Sequence, residues 1–200
     1  MRVLSLHRES MNPITGSILA LALGALLLCQ AATARAEEAP RKIIDLAHAR
    51  LTDLAQSRVI ISAVRTANAK NQSLESIKAM DAQWKNTPGI VDYMQAMMES
   101  ECGRYLRKIQ DSDAYYAEIF VMDNQGANVA MTDKTSDYWQ GDEAKFQKAF
   151  NQGQGAVFVD QVEFDDSAQA YLVQVSVPVM DGNQVIGTVT FGINVDALED

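Results

Sequence analysis

Apolar residues recur every three or four positions through most of the first half of the chain, and this period predicts amphipathic helices. The pattern holds over residues 40–68, and a second helix is predicted after Ser73, whose hydroxyl can cap its first turn. Thr87-Pro88 predicts the start of a third helix, because proline is tolerated in a first turn. The positions that share the buried faces are Ile44, Ala47, Leu51, Leu54, Ile60, Val64 and Ala67 in the first helix, Leu74, Ile77 and Trp84 in the second, and Val91, Met94, Met98, Cys102, Tyr105 and Ile109 in the third.

Beyond residue 113 the apolar pattern alternates from one residue to the next, which is typical of β-strands. Five strands are predicted, over residues 117–122, 128–132, 156–159, 171–179 and 185–195. Asp-Asn-Gln-Gly at 123–126 and Asp-Gly-Asn at 181–183 supply the turn chemistry of hairpins. Gly187 and Gly192 predict a bend or a close backbone approach within the last strand. Antiparallel strands with helices gathered on one side define an α+β domain.

A polar loop at residues 132–141 precedes a short amphipathic helix predicted over 142–150. The loop holds Asp133, Lys134, Thr135, Ser136, Asp137, Tyr138 and Trp139. One face of the sheet must meet the N-terminal helices, and the other is also apolar and needs a cover. Residues 132–150 are predicted to provide that cover and to enclose a small cavity with polar groups at its rim. The alternative is a solvated loop that Tyr138 and Trp139 anchor to the core.

The first 36 residues differ in composition from the rest and predict a cleaved secretory signal. Arg2 and Arg8 give a basic start, residues 14–29 are apolar, and Ala34-Arg35-Ala36 has the small-x-small form of a signal peptidase site. An uncleaved signal anchor in the inner membrane is the alternative, because residues 14–34 approach the roughly 20 residues that span a bilayer. The predicted product is a single periplasmic or secreted domain over 37–200, helical over 37–112 and a sheet with its cover over 113–200.

The charge balance excludes two classes of partner. The chain has 17 basic and 26 acidic residues, and residues 1–36 contain three arginines and one glutamate. The remaining chain therefore carries a formal net charge of −11. Nucleic acid and anionic membrane surfaces would repel such a chain, so neither is predicted as a partner.

Cysteine and histidine are scarce after residue 36, where Cys102 and His48 are the only ones. This scarcity argues against a disulfide framework, a zinc site and a haem-attachment motif, and no metal or cofactor is predicted. His48 is expected at the surface of the first helix. Cys102 is expected as a small buried hydrophobe, with an intermolecular disulfide or a reactive thiol as alternatives.

No enzyme is predicted. The acids that lie close together in sequence are Asp133, Asp137, Asp142 and Glu143, and they could perturb one another's pKa values. A solvated acidic loop has the same composition, however. The spacing of Asp133 and Asp137 does not match an EF-hand calcium loop.

Two segments resemble the extracytoplasmic Cache sensor domains, also called PDC domains, which are PAS-like modules. They are EIFVMDNQGANVAMTDKTSDYWQGDEAKFQKAF at residues 118–150 and VSVPVMDGNQVIGTVTFGINVDAL at residues 175–198. The first has the family's order of strand, turn, strand and aromatic loop. The second has its hairpin with a Val-Ile-Gly-Thr run and a Gly-Ile-Asn-Val tail. The resemblance implies long N-terminal helices packed on a five-stranded antiparallel PAS-like sheet with a loop-helix lid.

The resemblance also implies a pocket between the sheet and the lid for a small metabolite such as an amino acid, a carboxylate or an amine. The residues that it places around the ligand are Asp137, Tyr138, Trp139, Asp142 and Phe146 in the lid and Phe158, Asp160, Tyr171 and Val173 on the strands, with Asp160 or Asp165 as an acidic anchor for an ammonium group. The Arg-x-Trp-Tyr signature of the amino-acid-binding branch is absent, because Asp137 occupies the place of the arginine. Recognition of an amino-acid carboxylate is therefore in question.

Members of this family sit on membrane-spanning kinases, chemoreceptors or cyclases, and the N-terminal helix passes ligand occupancy to a partner. A second membrane-spanning helix and an output domain are not predicted here. The expected role is an exported stand-alone sensor domain that signals through another protein, such as a membrane-bound receptor or kinase. The N-terminal helix would serve as a docking surface or as the seam of a homodimer. The alternative is an interaction or structural module of the cell envelope that binds no ligand.

Overall fold

The structure, a computed structural model, describes residues 38–165 and 169–199. The predicted signal at residues 1–36 lies outside the described residues. The helices are α1 (Arg41–Leu46), α2 (Thr52–Ala55), α3 (Arg58–Ala69), α4 (Leu74–Asn86), α5 (Asp92–Met98), α6 (Glu101–Gln110), α7 (Ala144–Phe150) and α8 (Val195–Glu199), with a π-helical turn at Ala47–Leu51 and a 3-10 turn at Asn151–Gly153.

The strands form one antiparallel sheet. They are β1 (Tyr116–Met122), β2 (Asn128–Met131), β3 (Phe158–Asp165), β4 (Ala170–Asp181) and β5 (Gln184–Asn194), and their order across the sheet is β2-β1-β5-β4-β3. The predicted α+β fold with a five-stranded antiparallel sheet is confirmed. The two predicted turns carry positive φ angles at Gly126 and Gly182, which glycine adopts without strain.

One face of the sheet packs against α1, α2, α3 and α6. Val175, Val177 and Phe191 are fully buried on this face. They meet helical residues such as Leu51 and Leu106, which are also fully buried. The main core therefore lies between the sheet and these helices. Its residues recur at every second position along the strands and at every third or fourth position along the helices.

The opposite face is covered by α4, α5, α7 and the loop at residues 132–141, which we call the lid loop. Phe120, Met122 and Met131 of this face pack with Trp84 of α4 and Phe146 of α7. The prediction that Phe120 and Met122 face away from Ile119 and Val121 is confirmed by the separate clusters that they join. The prediction that the helices gather on one side is wrong in detail, because α4 and α5 lie on the side of the lid loop.

Two predicted helices are each divided. The first breaks after Gln56, whose Nε2 donates to the carbonyl of Pro178 at 2.9 Å and whose Oε1 accepts from the amide of Met180 at 3.0 Å. These bonds bind the break to β4 beside its irregular register at Val179 and Met180. The third helix is interrupted at Ser100, whose Oγ caps α6 by accepting from the amide of Gly103 at 2.9 Å. In each case a side-chain hydrogen bond to the backbone outweighs the continuing apolar period.

Close contacts account for the glycines of β5. A Cβ on Gly187 would lie 2.2 Å from the carbonyl oxygen of Met122, and one on Gly192 would lie 2.6 Å from Cγ of Glu118. The predicted close backbone approach is therefore confirmed at Gly187, whereas the close neighbour of Gly192 is a side chain.

Candidate functional site

The lid loop is held by the carboxylate of Asp81 on α4. Its Oδ1 accepts from the backbone amides of Tyr138 at 2.9 Å and Trp139 at 3.1 Å. Trp84, one turn further along α4, donates from Nε1 to the carbonyl of Thr135 at 2.8 Å. The loop is thus a fixed structure whose buried backbone groups find partners on α4, as buried polar groups require.

The same loop also pairs with the β1–β2 turn. The amide of Asn128 donates to the carbonyl of Tyr138 at 2.9 Å, and the amide of Gln140 donates to the carbonyl of Gly126 at 2.8 Å. Trp139 forms an isolated antiparallel bridge with Ala127. The loop therefore continues the sheet edge for a short distance and then turns over the sheet.

A cavity of about 340 Å³ lies between the lid loop and the sheet. We call it the sheet cavity. Its lining residues come from α4, β1, β3, β4, the lid loop and the start of α7, and they are Trp84, Lys85, Glu118, Phe120, Lys134, Thr135, Ser136, Gln140, Lys145, Asp165 and Gln174. Two neighbouring recesses of about 220 and 400 Å³ share several of these residues. The space under the lid loop is therefore open, and most of the residues that line it are polar.

Glu118 is the acidic group on the floor of the sheet cavity. Its Oε1 accepts a hydrogen bond of 3.2 Å from Nε2 of Gln174. Burial raises the pKa of Glu118, although the nearby charge of Lys145 and the bond from Gln174 act in the opposite direction. Within the described chain no lysine or arginine forms an ion pair with Glu118. A half-buried carboxylate without such a partner is a ready acceptor for a cationic group.

Three lysines surround the same space. Lys145 pairs with Glu143 at 2.9 Å, and Lys134 donates to the carbonyl of Thr87 at 2.6 Å. Lys85 lies between Asp81 at 2.8 Å and Asp137 at 2.5 Å. Each ammonium group carries three N–H donors, so these contacts leave donors for a ligand.

Asp137 belongs to the wall of the loop rather than to the cavity lining. Burial acts to raise the pKa of Asp137, but the hydrogen bonds from Lys85 and Ser136 outweigh it and the pKa is lowered. Its carbonyl accepts from Asn128 at 3.1 Å and from Gln140 at 2.8 Å. Asp137 therefore stays charged and holds the loop together.

The other predicted lid residues also lie away from the sheet cavity. Tyr138 is buried against Trp84, with ring centroids 5.7 Å apart, and its side chain lies on the far side of the loop. Trp139 is half-buried and donates to the carbonyl of Gln125 at 2.8 Å. Asp142 is exposed, and Phe146 is a core residue. From the lid loop, the cavity is instead lined by Lys134, Thr135, Ser136 and Gln140.

The predicted strand residues divide in a similar way. Val173 is fully buried in the core against the N-terminal helices, so it faces away from the sheet cavity. Tyr171 is exposed, and Phe158 is half-buried under Lys148. Asp160 lines the recess of about 220 Å³ beside the sheet cavity, and Asp165 lines the cavity itself.

Glu118, Lys145 and Gln174 were missed by reasoning from the sequence. A usable signal was present for Glu118, because alternation along a strand puts it on the same side as Phe120. In the same way, alternation along β4 puts Gln174 on the same side as Ser176. A lone charged or amide residue in an apolar strand is informative, since such residues are buried only where they have a partner.

A five-stranded antiparallel sheet with one face on N-terminal helices and the other under a loop-and-helix lid, enclosing a polar cavity, defines a PAS-like sensor domain. The family model for the first PDC sensor domain of methyl-accepting chemotaxis protein-like proteins matches residues 89–200, which is more than half of the chain. The chain belongs to this family. The predicted resemblance is confirmed, and the family is one of sensor domains rather than catalytic ones.

Several solved sensor domains are similar to this chain. The ligand-binding domain of the Campylobacter jejuni chemoreceptor Tlp3 in complex with 4-methylisoleucine is 17% identical, with a TM-score of 0.40 over 80% of this chain and 62% of that one. The sensor domain of the Vibrio cholerae histidine kinase DctB is 13% identical, with a TM-score of 0.35 over 79% and 59%. The ligand-binding domain of the Pseudomonas aeruginosa amino acid chemoreceptor PctC in complex with GABA is 14% identical, with a TM-score of 0.41 over 74% and 60%.

The chain thus spans about three fifths of the length of these solved domains. No curated protein sequence matches it. Within residues 38–165 and 169–199, no helix is both long and apolar enough to cross a membrane. Among these same residues, no group of three or more His, Cys, Asp or Glu side chains is placed to hold a metal ion.

Proposed function

We propose that the protein is an exported sensor domain that binds a small metabolite in the sheet cavity and signals through a partner protein. The observation that carries this proposal is the half-buried carboxylate of Glu118 on the cavity floor, which lacks an ion pair within the described chain. A cationic ligand would supply the missing charge. The cationic group of the ligand would form with Glu118 interactions that replace those it loses on leaving water.

The chemistry of the cavity favours a ligand with a protonated amine and an anionic or polar second group. The amine would contact Glu118 and Gln174, whose side chains lie side by side. Lys145 and Lys134 border the same cavity and have spare donors for an anionic group. A volume of about 340 Å³ suits a small metabolite rather than a polymer.

Binding of defined compounds tests the proposal. Valine, β-alanine, putrescine and succinate separate the need for an amine from the need for a carboxylate. We expect the amine-bearing compounds to raise the melting temperature, because a ligand at 100 times its Kd stabilises the native state by about 2.7 kcal/mol. Succinate alone should not.

The variant Glu118→Gln should weaken amine binding by about tenfold or more, since a hydrogen bond to a charged group contributes about 1.5–3 kcal/mol. Glu75→Gln removes the same charge from an exposed position on α4 that lines none of these cavities, and it is the matched control. No melting shift with any of the amines, or an equal shift in Glu118→Gln, would overturn the assignment.

Export and the signalling partner are inferred from the family and from the signal-like residues 1–36. Fractionation of cells that express the full chain should place it outside the cytoplasmic membrane. The N-terminal helices are inferred as the surface that reports ligand occupancy to a membrane-bound receptor or kinase, or that pairs two copies. Cross-linking from an exposed helix position, such as His48, with and without ligand tests this arrangement.

A second candidate function is an interaction module of the cell envelope. It is favoured by Phe164 and Tyr171, which are 51% and 52% exposed and form an edge-to-face pair with centroids 5.3 Å apart. Large apolar side chains grouped at a surface mark interaction sites. Double substitution of this pair by serine should abolish partner capture without changing ligand-induced melting if the two functions are separate.

A further inference from the structure

One turn of the N-terminal helix is wider than an α-helical turn. It is the π-helical turn at Ala47–Leu51, between α1 and α2, and we call it the wide turn. The amide of Thr52 donates to the carbonyl of Ala47, and the hydroxyl of Thr52 donates to the same carbonyl at 3.0 Å. Such a turn holds one more residue than an α-helical turn, and turns of this kind are rare and frequent at functional sites.

The wide turn decides which residues of this helix reach the core. Four residues at intervals of four are fully buried, namely Ile43, Ala47, Leu51 and Ala55. In an α-helix four residues rotate by about 400°, so three such intervals would displace the last of them by about 120° from the first. The extra residue of the wide turn takes up part of this rotation and keeps the four side chains against the sheet.

The same sequence also fits an uninterrupted α-helix. The positions predicted to share its buried face have α-helical spacing, and they are Ile44, Ala47, Leu51 and Leu54. The structure instead buries Ile43 fully and leaves Ile44 half-buried. Because the two isoleucines are neighbours, the wide turn places one in the core and its loss would place the other there. The helix therefore has two registers that bury the same type of side chain.

The wide turn is tied to the strand that carries Glu118. Arg50, within the turn, donates from Nη1 to the hydroxyl of Tyr115 at 2.9 Å, and its Nη2 pairs with Asp113 at 3.0 Å. Both partners lie just before β1, and Glu118 follows on that strand. The pairing of β1 with β5 is irregular between Tyr116 and Glu118. The wide turn and the floor of the sheet cavity are therefore anchored on either side of one irregular segment.

We propose that the wide turn is a register switch, in which either Ile43 or Ile44 occupies the core, and that a ligand in the sheet cavity changes the balance between the two registers through β1 and Arg50. The second part rests on the proposed function, whereas the first does not. Loss of the wide turn would rotate α1 by about 100°, the angle of one residue. Two discrete packings of this kind convert a small movement at a site into a large change of the surface that a partner meets.

The methyl groups of the two isoleucines report the register. In protein with isotope-labelled isoleucine methyl groups, a soluble paramagnetic agent broadens the NMR signals of exposed methyls, and relaxation dispersion detects the minor register. Ile43→Val and Ile44→Val assign the two signals. We expect the Ile43 methyl to be protected in the wild type and the Ile44 methyl to be broadened.

Thr52→Val removes the hydroxyl that holds the wide turn and keeps the shape of the side chain. It should change the ratio of the two registers about fivefold in favour of Ile44 in the core, as the loss of one hydrogen bond does. Thr66→Val is the matched control, because the hydroxyl of Thr66 donates to the carbonyl of Ser62 at 2.9 Å within the regular helix α3. The control should leave the ratio unchanged.

Deletion of the exposed Ala49 removes the extra residue and gives the buried positions α-helical spacing with Ile43 still in the core. This variant should therefore keep Ile43 protected, and Thr52→Val should have no effect on its register. Circular dichroism and thermal melting establish that each variant folds. Equal protection of Ile43 in the wild type and in folded Thr52→Val would overturn the register switch.

Valine, β-alanine and putrescine test the link to the sheet cavity. Each compound that raises the melting temperature should change the ratio of the registers by about fivefold or more, the lower end of coupling between sites, and should leave the register of the Ala49 deletion unchanged. A melting shift with an unchanged ratio would overturn the link and leave the proposed function intact. No melting shift with any of the three would refute the proposed function and the link together, and Thr52→Val alone would then decide the register switch.

Discussion

The carboxylate of Glu118 on β1 reaches across Gly192 of β5 to Gln174 on β4, whose Nε2 donates to it at 3.2 Å. Gly192 is the register partner of both residues. A side chain at position 192 would occupy the space over which Glu118 extends, because its Cβ would lie 2.6 Å from Cγ of Glu118. The floor of the sheet cavity therefore depends on a glycine in a central strand, where glycine otherwise weakens a sheet.

Gly192→Ala should displace Glu118 and destabilise the protein by about 1–3 kcal/mol, as insertion of a methyl group into a packed site does. The affinity of the same variant for an amine ligand should also fall. Urea unfolding measures the first effect and calorimetry the second. In the double variant with Glu118→Ala the contact with Cγ is gone, so the two costs should not add. Additive costs would show that Gly192 serves another purpose.

Glu118 makes the stability of the protein depend on pH. Burial raises its pKa above the ordinary value of 4.5. The folded protein therefore holds the proton more tightly than the unfolded chain. The resulting stability is complete below about pH 4.5 and is lost as the pH rises through the raised pKa.

The glutamine side chain of Glu118→Gln is neutral at every pH. This variant should therefore not lose stability as the pH rises. Its free energy of unfolding relative to wild type should therefore increase between about pH 4 and about pH 7. Urea titrations across this range measure the difference. Glu75→Gln, at an exposed position of α4, controls for the loss of one negative charge. A difference that stays constant with pH, or decreases, would contradict the role given to Glu118.

Cys102 should be unreactive in the folded protein. It is buried on α6, and burial, with a smaller effect from the charge of Glu101, raises the pKa of its thiol to about 12. Almost no thiolate is then present at neutral pH, and the thiolate is the reactive form.

Iodoacetamide at neutral pH should modify Cys102 only as fast as the protein unfolds, which mass spectrometry of peptides can follow. The variant Cys102→Ser gives the background of the labelling. Rapid modification under native conditions would favour the reactive thiol that the sequence left as an alternative.

The sequence predicted the fold well because apolar periodicity depends on local geometry. Val175 and Phe191 lie on strands that alternate, and Trp84 lies on a helix whose apolar positions recur each turn. The helix breaks at Gln56 and Ser100 were harder to predict. The break at Gln56 depends on hydrogen bonds that form only once Pro178 and Met180 are in place. The break at Ser100 depends on the hydrogen bond from the amide of Gly103 that caps α6.

The site was predicted less well, because both faces of this sheet are covered. Val173 was assigned to the ligand face, but odd-numbered positions of β4 meet the N-terminal helices. The even-numbered positions Leu172 and Gln174 face the polar side. Periodicity separates the two faces of a strand, but it does not identify which face meets the N-terminal helices and which meets the lid. On β4, only the polar side chain of Gln174 distinguished the two faces.

Asp81 is the residue on which the position of the lid loop depends. It is 7% exposed, its Oδ1 accepts from the amides of Tyr138 and Trp139, and its Oδ2 pairs with Lys85 at 2.8 Å. Asp81→Ala would leave two amides unsatisfied. We expect a loss of about 3 kcal/mol in unfolding free energy, since hydrogen bonds to charged groups contribute about 1.5–3 kcal/mol each and are not additive.

The loop should also open locally in this variant. Amide hydrogen exchange at Tyr138 and Trp139 should accelerate more than exchange in the buried strand β5, because the released bonds hold the loop and not the sheet. Asp81→Asn keeps an acceptor at Oδ1 and should restore most of the protection. If Asp81→Ala accelerated exchange equally in the loop and in β5, the residue would support the whole fold, and the lid loop would not be an independently held cover of the sheet cavity.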